Sequence, residues 1–274
     1  MKYRKIAFIG SGNIVNAMVS GIVKYGKYKS SMITISSPNN CRRNKIVENY
    51  NVIGINDNNI AVKNSDVIIL AVKPQVMEYV CKSLRKIVDY RKKLILTLAA
   101  GITVNRYNEY FDDKINLIRI MPSILSFIGK GIIGIFTQNI ITEENKIFIE
   151  KLMKSIGDII WCKEEHEINN ITAISGSSPA YIFLFMEAIQ QKAEELGYNK
   201  KISRKLIFNI FNSSLKFASF QKDICFSELR KKVMSEGGVT EKALNEFYNG
   251  SFKQIIGKIM QNVIDKSKEM ENKF

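Results

Sequence analysis

Over its first 160 residues the chain keeps returning to one pattern: a short, unbroken apolar run, then small or turn residues, then a segment with apolar positions at helical spacing. The runs cover residues 5–9, 32–35, 66–72, 93–98, 116–120 and 131–136, with a last one at 158–161. Strands that are apolar on both faces need helices above and below them, which is the layout of a parallel sheet built from βαβ crossovers of one hand. Beyond residue 161 the rhythm changes. Helical periodicity alone follows, over residues 181–196, 201–220, 226–234, 240–248 and 252–270. The expected fold class is therefore α/β: a nucleotide-type parallel-sheet domain over residues 1–162, then an all-helical domain over 163–274, a segment of roughly 110 residues and so a plausible domain. No internal repeat or low-complexity linker divides the two.

Composition narrows the function. With 274 residues, 46% of them hydrophobic, the chain has enough apolar material for one or two cores. No apolar stretch approaches the roughly 18 residues of a membrane span. The apolar run at residues 6–9 is too short for a signal peptide and reads as a first strand, so a cytoplasmic protein without membrane association is expected. Lys and Arg total 41 against 26 Asp and Glu, a formal charge of +15. These charges are spread along the chain, which is rich in Lys, Asn and Ile together, and no basic patch or tail points to nucleic acid. Cys41, Cys81, Cys162 and Cys225 lie far apart, and His166 is the only histidine, so neither a metal site nor a disulfide framework is expected.

The motif with most chemistry in it is IAFIGSGNIV, where an apolar strand runs into Gly10, Ser11, Gly12 and Asn13 and on into a helical segment. Gly10 allows a tight turn, and Gly12 lets the backbone approach a pyrophosphate resting on the N–H groups and positive end of the helix. Val15 takes the place usually given to a third small residue, and is expected to push strand and helix slightly apart. After the second strand, ITISSPNNCRR offers Ser36, Ser37, Asn39, Arg42 and Arg43 where an NADH enzyme usually places a carboxylate. These groups suit a 2′-phosphate, so NADPH is favoured over NADH.

Two further strands end in small residues. SDVIILAVKP closes on Lys73 and Pro74, and LTLAAGIT on Ala99, Ala100 and Gly101. Open α/β sheets bind ligands at the carboxyl ends of their strands, and small residues there make room for a flat ring. In the helical half, SGSSPAY places Ser175, Gly176, Ser177, Ser178 and Pro179 before a long apolar helix. Further on, Ser235, Gly237, Gly238 and Thr240 form a glycine turn that opens another helix, an arrangement suited to a carboxylate. Taken alone, Thr240 reads as a plain helix cap.

Together these strings resemble the pyrroline-5-carboxylate reductase family from end to end. FIGSGN, SSP, SDVIILAVKP, LAAGIT, SGSSPAY, and LRKKV followed by S-x-G-G-x-T occur in the family's order. The resemblance implies a Rossmann-like N-terminal domain and a helical C-terminal dimerisation domain that intertwines with a second subunit, with dimers often forming larger rings. It implies reduction of 1-pyrroline-5-carboxylate to L-proline by hydride transfer from NAD(P)H, commonly NADPH. Cofactor contacts are implied at Gly10, Ser11, Gly12, Asn13, Ile14, Ser37 and Asn58, along Ala71, Val72, Lys73 and Pro74, and at Ala99 and Ala100. Substrate contacts are implied at Ser235, Gly237, Gly238, Val239 and Thr240, with the catalytic Thr240 hydroxyl near the ring nitrogen. The two glycine-cornered helix starts are then expected to face each other across a cleft.

Two departures stand out. Ser123 and Ile124 occupy the places where the family commonly has Asn and Thr, and Glu236 puts a negative charge beside the carboxylate loop. A non-catalytic, competence-associated paralogue of the reductase resembles the P-S-I and G-G-V-T strings and is one alternative. A reductase of another cyclic imine is a second. The β-hydroxyacid reductases would bring a lysine between the domains, which residues 164–181 lack.

Overall fold

The computed structural model describes residues 3–86 and 89–274. Among the described residues the N-terminal half forms an eight-stranded sheet: β1 (Ile6–Ile9), β2 (Ile33–Ser36), β3 (Ile53–Ile55), β4 (Val67–Leu70), β5 (Leu94–Thr97), β6 (Leu117–Met121), β7 (Gly131–Thr137) and β8 (Gly157–Trp161). Their order in the sheet is β3-β2-β1-β4-β5-β6-β7-β8. The chain thus reverses its direction of travel across the sheet between β1 and β4, the switch point at which α/β sheets open a ligand crevice.

Alternate strand residues feed two separate cores. Ile6 and Phe8 point to one face, where Val15, Met18, Val19 and Ile22 of α1 (Asn13–Lys24) cover them at helical spacing. Ala7 and Ile9 point to the other, against Met77, Val80, Cys81 and Leu84 of α4 (Pro74–Leu84) and Tyr107 and Phe111 of α5 (Val104–Phe111). Remaining helices of this half are α2 (Asn40–Tyr50), α3 (Asn58–Lys63) and α6 (Glu143–Lys154). Val15 is buried in the first core. Further along α1, Gly21 packs tightly enough that a Cβ there would collide with the Ser126 carbonyl oxygen.

Two features differ from the expected sheet. The edge strand β3 is too short and too exposed to register as an apolar run; Ile53 is 47% accessible. And β7 pairs antiparallel with β6, so the sheet is not wholly parallel. Only residues 122–130 join them, fewer than the dozen or so that a parallel crossover needs. β8 is again parallel to β7.

The helical half contains α7 (Glu167–Ile171), which passes through a π turn (Thr172–Gly176) into α8 (Ser178–Glu195), then α9 (Lys200–Phe220), α10 (Phe226–Lys231), α11 (Val239–Asn249) and α12 (Phe252–Lys273). The chain separates into two compact units, Met1–Pro179 with Gln261–Phe274, and Ala180–Met260. The end of α12 and α7 therefore belong with the sheet, and the position 162/163 expected as a boundary falls inside the first unit. In the second unit Phe185 lies 6.0 Å from Phe211 and 6.3 Å from Phe247, ring to ring. Much of its apolar surface stays open, including Phe183, Leu184, Phe208, Leu215 and Phe220, the last 82% accessible. Among the described residues no helix is long and apolar enough to cross a membrane.

Candidate functional site

At the carboxyl end of β1 the chain turns sharply at Gly10, whose φ is +126° and whose N–H donates to the Ser36 carbonyl at 2.8 Å. A Cβ here would meet the Ala71 carbonyl oxygen, so the glycine is dictated by the neighbouring strand end. Gly12 is different. It caps α1 with ordinary extended backbone and no side-chain hydrogen bond, and a Cβ on it would meet nothing within 4 Å. The first backbone bond of the helix runs from Asn16 N–H to the Gly12 carbonyl, leaving the N–H groups of Asn13, Ile14 and Val15 without an intrahelical acceptor. Open space above unpaired donors at a helix start is a cradle for a phosphate, and these residues fit a dinucleotide.

The β2 end closes one side of this cradle. The Ser11 hydroxyl donates to the Ser37 hydroxyl at 2.9 Å, both side chains being buried. Arg43 Nη1 donates to the Ser37 carbonyl at 2.7 Å, which fixes the loop, while Arg42 stays exposed. Asn39 caps α2 by accepting from the Arg42 N–H at 3.0 Å. Ser36 is not available to a ligand as the sequence suggested: it is fully buried and donates to Asn58 Oδ1 at 2.6 Å. That bond leaves the amide nitrogen of Asn58 as its free end.

Across the switch point, Ala71 N–H donates to the Ile9 carbonyl at 2.9 Å, placing Ala71 and Val72 beside the glycine turn. Lys73 caps α4, and Pro74 is its first residue, where a missing N–H costs nothing. One strand further, Leu98 N–H donates to the Leu70 carbonyl at 3.0 Å, and Ala99 N–H to Thr97 Oγ1 at 3.3 Å. Ala99 and Ala100 thus continue the same rim. Gly101, with φ of +69°, owes its lack of a side chain to packing: a Cβ would collide with the Met270 side chain of α12. Beyond β6, the Ser123 hydroxyl is buried without a hydrogen-bond partner, while the neighbouring Ile124 is exposed.

The glycine turn before α11 lies in the second unit. Gly237 adopts φ of +68°, Gly238 N–H donates to the Ser235 carbonyl at 2.9 Å, and Gly238, not Thr240, is the helix cap. Thr240 is the second helical residue, half-buried, with its N–H and that of Val239 in the unpaired first turn. The Gly237 N–H is already engaged, donating to Glu241 Oε2 at 2.7 Å. Sequence reading missed this contact, because a glutamate reaching back from the helix's first turn looks like any exposed charge.

Over residues 165–270 the chain matches the family model described as pyrroline-5-carboxylate reductase dimerisation, and over 5–101 the one described as NADP oxidoreductase coenzyme F420-dependent. A pyrroline-5-carboxylate reductase of Vibrio alginolyticus is 39% identical over the full length of both chains. The chain belongs to the pyrroline-5-carboxylate reductase family. Another reductase of the family, from Haemophilus influenzae, is 34% identical, again over the whole of both chains. Among solved structures, the pyrroline-5-carboxylate reductase of Coxiella burnetii is 31% identical with a TM-score of 0.84, covering 98% of this chain and 99% of its own. The Streptococcus pyogenes enzyme, 25% identical, superposes with a TM-score of 0.86 over 97% of this chain and 98% of its own. As a pyrroline-5-carboxylate reductase family member the chain is an NAD(P)H-dependent oxidoreductase that forms homo-oligomers.

Proposed function

We propose that the rim formed by Gly10 to Ile14, Ser37, Asn58, Ala71 to Pro74, Ala99 and Ala100 holds NADPH, and that the turn Ser235, Gly237, Gly238, Val239 and Thr240 holds the carboxylate of 1-pyrroline-5-carboxylate. The reaction is the reduction of this cyclic imine to L-proline, the activity carried by the full-length relatives. They do not favour the non-catalytic reading that Ser123 and Ile124 invited. The observation that carries the cofactor site is the contrast between its two glycines: Gly10 is filled in by Ala71, whereas the space over Gly12 is open beside unpaired helix donors.

When bound, the reduced nicotinamide supplies the hydride. The chain's own share is placement. Ser37 and the exposed Arg42 offer a hydroxyl and a charge to a 2′-phosphate, with no carboxylate in the loop 37–43 to repel it. The Asn13, Ile14 and Val15 N–H groups face the diphosphate. On the substrate side, the Val239 and Thr240 N–H groups take the carboxylate, with Glu241 swinging off Gly237 to free a third donor. The Thr240 hydroxyl orients the ring nitrogen, which arrives protonated, so no histidine-type acid is required. Holding two reactants at reacting distance removes roughly 7 to 11 kcal/mol of barrier when the geometry is good.

The exposed apolar surface of the second unit supports a homodimer formed through the helical half, with larger rings of dimers built on it. A spectrophotometric assay of NADPH loss with pyrroline-5-carboxylate and a small panel of other cyclic imines tests the activity. Turnover of another imine in place of pyrroline-5-carboxylate would overturn the substrate reading.

A further inference from the structure

The least expected group in the sheet is Arg119, 1% exposed, on β6 in register with Thr97 of β5 and Phe136 of β7. An arginine so far from water needs counter-charge. Its Nη1 donates to Glu165 Oε1 at 2.6 Å and lies 3.6 Å from Glu271 Oε1. Both carboxylates are engaged a second time. Glu165 Oε1 accepts the N–H of Val104, the first residue of α5, at 2.8 Å. Glu271 Oε1 accepts Asn169 Nδ2 at 3.1 Å. Glu271 belongs to the last turn of α12, and the residue before it, Met270, is the one packed over Gly101. A fourth contact ties down the same segment: the Tyr110 hydroxyl on α5 donates to the Phe274 main-chain oxygen.

These contacts converge on residues 99–103, between β5 and α5. One end of that loop is set by Ala99 N–H on Thr97, the other by Val104 N–H on Glu165, and its middle lies under Met270. We propose that the end of α12, fastened through Arg119, Glu165 and Glu271, is a positioning device that holds the Ala99–Ala100 rim in the shape the cofactor needs. The inference rests on the reading that Ala99 and Ala100 contact the cofactor. Arg119, Glu271 and Met270 are positioning residues here, acting through the loop. Their charge cluster is unevenly satisfied, since Arg119 Nε and Nη2 have no partner, so losing one carboxylate shifts the rest.

The test uses the full-length, assembled protein and reads the NADPH dissociation constant, both Michaelis constants, kcat and the melting temperature. Arg119→Met strands two carboxylates and costs stability as well, so milder variants decide the matter. Glu271→Gln keeps an acceptor for Asn169 but removes the charge, and Met270→Ala empties the contact over Gly101. Both are expected to raise the NADPH dissociation constant several-fold, with the KM for pyrroline-5-carboxylate moving less, and Met270→Leu, which conserves volume, is expected to retain wild-type binding. A lower melting temperature with unchanged NADPH binding in both variants would overturn the proposal, leaving α12 as packing alone. Ala100→Leu separates the two readings. If it weakens NADPH while the α12 variants do not, the rim stands and the positioning role falls; if it too leaves binding unchanged, both fall.

Discussion

The Ala71 carbonyl oxygen stands 2.5 Å from the point that a Cβ on Gly10 would occupy, so the first strand can turn only where the fourth lets it. Gly10→Ala therefore faces both a clash and a φ of +126°, and is expected to lose about 1 to 3 kcal/mol or more of stability. A Cβ on Gly12 meets no protein atom within 4 Å, so Gly12→Val should cost only about 1 kcal/mol as a poorer cap, yet abolish NADPH binding. Thermal melts alongside NADPH titrations distinguish them. A Gly12→Val protein that still binds NADPH normally would remove the cradle assignment.

Cofactor choice is expected to depend on Ser37. Ser37→Glu puts a carboxylate where the 2′-phosphate is expected, and should weaken NADPH by about tenfold or more, one like-charge contact of about 1.4 kcal/mol, while NADH is affected less. Michaelis constants for both nucleotides provide the check. An equal loss for the two would count against this loop.

For the substrate turn, Thr240→Ala is expected to lower kcat/KM for pyrroline-5-carboxylate by about 10²-fold, the usual scale for a lost orienting hydrogen bond, with NADPH binding intact. Steady-state kinetics and a binding titration on the same sample suffice. Full activity in this variant would exclude the role given to Thr240.

Alkaline stability is expected to depend in part on Cys81, on the buried face of α4, where desolvation pushes the thiol from 9.0 up to about 12. Since the folded value lies above the unfolded one, the contribution is whole below pH 9.0 and is lost as pH climbs to about 12. The loss amounts to about 4 kcal/mol at most, at 1.36 kcal/mol per pH unit. Denaturant melts across this range should fall steeply for the wild type and less so for Cys81→Ala. Parallel slopes would assign the alkaline limb to other groups, such as the buried Tyr107.

How far the sequence reached depends on the range of each interaction. Seven of the strands and the long helices were legible because Ile6–Ile9 and Val67–Leu70 are apolar on both faces and Val15, Met18, Val19 and Ile22 repeat at helical spacing. The strand at Ile53–Ile55 was not, having three residues, one of them glycine. The reversed direction of β7 is a property of connection length rather than residue type. Within the candidate site, the different duties of Gly10 and Gly12 were legible from their places in the turn, but Ala71, the neighbour that leaves Gly10 no room for a side chain, lies 61 positions away and was not. Ser36 read as a ligand because its burial beneath Asn58 is non-local. Arg119, Glu165 and Glu271 are scattered over more than 150 positions and share no motif, so nothing along the chain announces them.

The reversal at β7 also separates two ends of the sheet by purpose. Its loop over residues 138–142 emerges beside the amino ends of the parallel strands, with Asn139 bonded to the Ile115 carbonyl at 3.0 Å and Ile140 100% accessible. A fluorophore or an inserted peptide joined at Ile140 would hang from the edge remote from the glycine turn, giving a handle for tethering the molecule to a surface while the nucleotide rim stays untouched.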